Sequence, residues 1–107
     1  FHAGDGNLHP CMLFDERQPG QLDRVIEARG EILKVCVGAG GTLTGEHGVG
    51  LEKKEYMPLV YSQADMDAMV QVRQAFAPAN RLNPGKIFPD GVPHRPAARR
   101  PDPTMSV

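Results

Sequence analysis

The chain has 107 residues, 40% of them apolar, and a formal net charge of -1. That length suits one small domain with a modest core, and the near-neutral charge gives no electrostatic reason to bind nucleic acid or an acidic membrane surface. No apolar run approaches the length of a membrane span, and no stretch has the pattern of a signal peptide.

The first residue is Phe1, and a dense motif follows at once. That start suggests a piece cut from a longer chain. Residues 2–10 read HAGDGNLHP. Asp-Gly and Gly-Asn pairs are strong turn formers, so the stretch from Phe1 to Phe14 predicts strand, tight turn, strand. Leu8, Met12 and Phe14 fall at even spacing on the second strand. On one straight strand His2 and His9 would point to opposite faces; the turn can fold them back to one side. Asp5 competes as a carboxylate ligand, but an Asp in such a turn more readily bonds its own backbone. Asp15 to Gly20 reads as a polar loop broken by Pro19 and Gly20.

Gln21 to Val37 predicts the first helix, with Leu22, Val25, Ile26, Arg29, Ile32, Leu33 and Cys36 recurring every three or four residues. Gly38, Gly40 and Gly41 should stop it in left-handed conformations. Gly41 to Leu43 then reads as a short strand. It leads into Thr42 to Gly50, TLTGEHGVG, where glycine surrounds Glu46 and His47. Glycine is expected where a backbone turns unusually or must approach a ligand. Leu51 to Tyr56 reads as a short helical turn. Its charges form a solvated face from which Lys53 or Lys54 could reach a phosphate or carboxylate. Met57, Leu59, Val60 and Tyr61 are expected to be buried.

Ser62 and Asp65 have the spacing of a capping box and start the second helix. Met66, Met69, Val70, Arg73 and Phe76 make one face of it, and Pro78 ends it. Arg81 to Pro89, RLNPGKIFP, is turn-rich around Pro84 and Gly85. From Asp90 on, proline and arginine dominate and a disordered tail is expected, with His94 idle. This divides the chain into a folded part, 1–89, and a tail, 90–107. The expected class is α+β: a small antiparallel sheet with two main helices. Cys11 and Cys36, with no paired spacing, read as reduced thiols of a cytoplasmic protein, at most peripheral to an inner membrane.

Three of the four histidines lie in the two glycine-rich segments. His2, His9 and Glu46 make a set of two imidazoles and one carboxylate, a common donor set for a divalent metal with positions left open. His47 is then the natural general base, since a neutral histidine near pH 7 can take a proton from a hydroxyl that a cation has acidified. The same donors could instead hold a metal in a non-redox binding or interaction module, or activate water in a metallohydrolase. No HExxH, GxxxxGK[ST] or strand-borne GxGxxG motif is present.

HAGDGNLHP, GGTLTGEHGVGLEK and LNPGKIFP, in this order and spacing, resemble the C-terminal part of FAD-linked 2-hydroxy-acid oxidases and dehydrogenases of the vanillyl-alcohol-oxidase-like superfamily. Within it the motifs are nearest the bacterial glycolate oxidase branch, with D-lactate and D-2-hydroxyglutarate dehydrogenases as near relatives. The resemblance implies that His2, His9 and Glu46 hold a divalent, zinc-like metal and that His47 is the base. It implies that Asn7 faces flavin and substrate and that Asn83 contacts the flavin. The implied reaction oxidises a small D-2-hydroxy acid, glycolate or D-lactate, passing hydride to FAD and then electrons to partner subunits with iron–sulfur clusters. The N-terminal FAD-binding domain and most of the substrate-binding cap of such enzymes are missing here. Alone, the piece is expected to be inactive and to self-associate through apolar surface that a partner domain covers.

Overall fold

The computed structural model describes residues 1–92. Two α-helices dominate, α1 (Gln21–Gly38) and α2 (Gln63–Phe76), with single 3-10 turns at Ala3–Asp5 and Lys54–Leu59. Both helices follow from the three-and-four spacing of their apolar residues. At the end of α1, Ala39 N–H bonds back to the Val35 carbonyl and Gly40 takes φ +87°, a left-handed stop that glycine makes without strain.

The capping box opens α2. Ser62 Oγ accepts from the Asp65 N–H while the Asp65 carboxylate accepts from the Ser62 N–H. These two bonds satisfy donors that the first turn would leave unpaired. The bonds from Ser62 also hold the Asp65 carboxyl below its ordinary range.

The core is small and sits where α1, α2 and the second 3-10 turn meet. Leu33, Leu43, Met57 and Met66 form it, with Val37, Val49, Tyr56, Tyr61, Met69 and Val92 packed around them. α1 comes close to the turn because Gly30 has no side chain: a Cβ there would lie 3.0 Å from the Tyr56 hydroxyl. Arg29 of the same helix pairs with Glu52 at 3.0 Å.

The expected antiparallel sheet does not form. Among the described residues there is no strand, only one isolated bridge, His2 to Asn7. Gly6, at φ +69°, closes a 3-10 turn over Ala3–Asp5 instead of a two-residue hairpin turn. Beyond Asn7 the stretch carrying Leu8, Met12 and Phe14 finds no neighbouring backbone, and a strand needs one for its amides and carbonyls. Gly41 to Leu43 is likewise not a strand, although Leu43 is buried.

The burial pattern corrects several expectations. Leu59 and Val60 are exposed, as are Leu22, Ile26 and Ile32 on α1 and Phe76 at the end of α2. The apolar faces of both helices are wider than the core they meet. Lys54 is not solvated: its Nζ sits 2.8 Å from Asp90 Oδ1, only 15% exposed. Of the proposed tail, Asp90 makes this pair and Val92 reaches the core; the disorder expected from 93 on, with His94, falls outside the described residues.

Ser62→Ala should cost about 1 kcal/mol of stability, read as a lowered urea midpoint. The Asp65 carboxyl is held below its ordinary range when folded, so its support is fully present above the ordinary carboxylate pKa and is lost as pH falls through the folded value. Ser62→Ala should therefore flatten the acid limb of stability, and an unchanged limb would count against the box.

Candidate metal centre

The cluster is built from two loops. The Ala3–Asp5 turn is pinned by the His2 N–H to the Asn7 carbonyl at 2.8 Å and by the Asn7 N–H back to the His2 carbonyl at 3.1 Å. This reversal, not a hairpin, brings His2 and His9 to one side, with ring centroids 5.8 Å apart. The second loop is held from within by the Gly48 N–H bonding Thr44 Oγ1 at 2.8 Å. At its far end the Ile87 N–H bonds the Gly50 carbonyl at 2.8 Å, tying the loop to the LNPGK segment.

Asn7 joins the two loops. Its side chain lies so close to Gly45 that a Cβ there would stand 2.3 Å from Asn7 Oδ1. Gly45 is therefore required by a close approach, one of the two reasons glycine was expected in this loop. The contact packs the first loop against the residue that precedes Glu46.

Glu46 is the hub. Its Oε1 lies 2.7 Å from His9 Nε2 and its Oε2 lies 3.6 Å from His2 Nε2. His47 Nε2 is 3.5 Å from Oε1, and the His47 ring is 5.4 Å from that of His9. One donor atom from each of His2, His9 and Glu46 lies within 4.8 Å of the other two. Zinc with nitrogen and oxygen ligands at about 2.0–2.2 Å places neighbouring donors roughly 3 Å apart, and the two carboxylate–imidazole distances straddle that value. The donor set fits a divalent cation that draws the three side chains together. The side chains of His2, Glu46 and His47 are 58%, 45% and 72% exposed, so solvent or a ligand can reach the cluster.

Asn7 thus belongs to the cluster's framework. Asn83 does not join it: no hydrogen bond or ion pair among the described residues links the two. It sits on the segment tied to Gly50, in a left-handed conformation at φ +44°. Sequence reasoning missed two supports. Thr44 had the spacing to cap its own loop. Arg73, read as part of a packing face, turns its guanidinium onto the backbone of residues 82–86. Nothing in the local spacing signalled the latter, because its partners lie 9 to 13 residues on.

Both cysteines are free and exposed, and among the described residues no helix is long and apolar enough to cross a membrane.

Comparison with known proteins gives the family of the chain. A family profile described as FAD linked oxidases, C-terminal domain, matches residues 1–87. The chain is 46% identical over 89 residues to the glycolate oxidase subunit GlcD of Escherichia coli K12, covering 83% of this chain and 18% of that protein. It is 44% identical over 99 residues to GlcD of Bacillus subtilis 168, covering 92% and 21%. It is 38% identical over 96 residues to the mitochondrial D-lactate dehydrogenase (cytochrome) 1 of Saccharomyces cerevisiae, covering 90% and 16%. The chain therefore spans about a fifth of the length of these curated relatives. No solved structure matches it.

Gly45→Ala should drive Asn7 off the loop and spread Glu46 from the histidines. Zinc affinity measured by calorimetry should fall roughly 10–100-fold, the usual effect of disturbing a ligand's support. Asn7→Ala in the same chain should recover part of that loss, since it vacates the space the new methyl needs.

Proposed function

The chain belongs to the FAD-linked oxidase C-terminal domain family, and from that premise we propose that it forms the substrate-activating part of a flavoprotein oxidising a small D-2-hydroxy acid, glycolate or D-lactate, to the 2-oxo acid. The names of the relatives support the reaction class. The observation that carries the assignment to residues is the convergence of His2, His9 and Glu46 within 4.8 Å of one another, with His47 beside them.

In this reading His2 Nε2, His9 Nε2 and a Glu46 oxygen hold a divalent, zinc-like cation, which when bound supplies Lewis acidity to the substrate's hydroxyl. Bound FAD supplies the acceptor for the hydride that leaves the alpha carbon. His47 takes the hydroxyl proton on its imidazole, so that the carbon–oxygen double bond forms as the hydride departs. Asn7 orients the loop that presents both Glu46 and His47. Asn83, on the adjoining segment, would contact the flavin.

The pyrophosphate-binding domain, a grip for the substrate carboxylate and an electron acceptor such as iron–sulfur subunits come from elsewhere in the assembly. The apolar residues left exposed here, Phe1, Leu13, Val35 and Phe76 among them, are the surface such a domain covers; without it they drive self-association. The exposure of the donors favours an open catalytic site over a closed structural one, in which protein ligands fill every position.

His47→Ala in the flavin-bearing protein should slow flavin reduction by substrate roughly 10²–10⁴-fold in single-turnover stopped flow, with flavin and metal contents unchanged. Flavin reduction at the normal rate would remove His47 from the mechanism. Glu46→Gln should instead lower metal content, measured by plasma mass spectrometry.

A further inference from the structure

α2 carries a charged residue on its inner side. Arg73 is half-buried, and its guanidinium is spent on one segment. Nη2 donates to the carbonyls of Leu82 and Asn83, the latter at 3.0 Å, with Asn80 Oδ1 at 3.4 Å; Nη1 lies 3.5 Å from the Lys86 carbonyl. Three residues of that segment adopt left-handed conformations without being glycine: Asn80 at φ +51°, Asn83 at +44° and Ile87 at +75°. Asparagine visits this region at modest cost, but a β-branched isoleucine does so only when its surroundings force it. The forcing contacts are visible. Arg73 gathers the carbonyls of Leu82, Asn83 and Lys86, and the Ile87 N–H is held by the Gly50 carbonyl at 2.8 Å. The segment is thus fixed at one end by a fork of donors from α2 and at the other by the last residue of the loop bearing Glu46 and His47.

We propose that Arg73 is a positioning residue: it sets the strained conformation of residues 80–87 and, through Ile87, the far end of the Glu46–His47 loop. Its action on Asn83 toward a flavin rests on the function proposed above; its action on the segment does not. Arginine suits the task because a planar fork of donors reaches several carbonyls at once, which an ammonium cannot do in fixed geometry.

The test compares Arg73→Ala and Arg73→Lys with the wild type in the full flavin-bearing chain, by hydrogen exchange and by flavin absorption and affinity. In Arg73→Ala the amides of residues 80–88 should exchange at least roughly tenfold faster, the size expected from losing one hydrogen bond to a charged group. Amides in α1 should be unchanged, Arg73→Lys should restore only part of the protection, and millimolar guanidinium added to Arg73→Ala should slow the exchange again. Unchanged exchange in 80–88, or an equal rise throughout the chain without guanidinium rescue, overturns the proposal. A loosened segment with unaltered flavin spectrum and affinity upholds the positioning role while removing Asn83 from the flavin site.

Discussion

One carboxylate holds the candidate site together. Glu46 lies between His2 and His9, residues that a small turn folds back on themselves, and beside His47, its own neighbour in sequence. Among the described residues no sheet frames this arrangement. It depends on a backbone reversal at Ala3–Asp5, on a glycine loop braced by Thr44, and on the close approach of Asn7 to Gly45. Loops positioned by a rigid scaffold are common carriers of chemistry. Here the scaffold is the pair of helices, which reach the site through Leu43 on one side of the loop and through the Arg73 fork and Ile87 on the other.

The helices were legible because their information is local. Apolar residues three and four apart, a Ser62–Asp65 pair and a glycine stop each act within a few residues, and the structure uses all three. The sheet was not legible because strands are completed by something outside themselves. Leu8, Met12 and Phe14 have strand spacing, but spacing cannot supply a neighbour. Burial failed in the same way: Leu59, Val60 and Phe76 are apolar and exposed, and their covering is a matter of contacts remote in sequence.

The site divides along the same line. The donor types and the glycine spacing pointed to His2, His9, Glu46 and His47, and the geometry gathers them. The residues that brace them were harder to find. Arg73 sits among apolar neighbours of a helix face and looks like part of that face, yet its partners are mostly backbone carbonyls, which carry no residue identity to read. Lys54 looked solvated within a run of charges, and its partner Asp90 stands 36 residues away.

The contact of Gly30 with the Tyr56 ring has an evolutionary corollary. A helix that has surrendered its side chain to admit an aromatic hydroxyl has made two positions answer for one volume. Chains related to this one that regain a methyl group at the helical position should carry something slimmer than tyrosine opposite, and those that keep the ring should keep the gap. The pair would drift together or not at all, a signature of packing that involves none of the histidines.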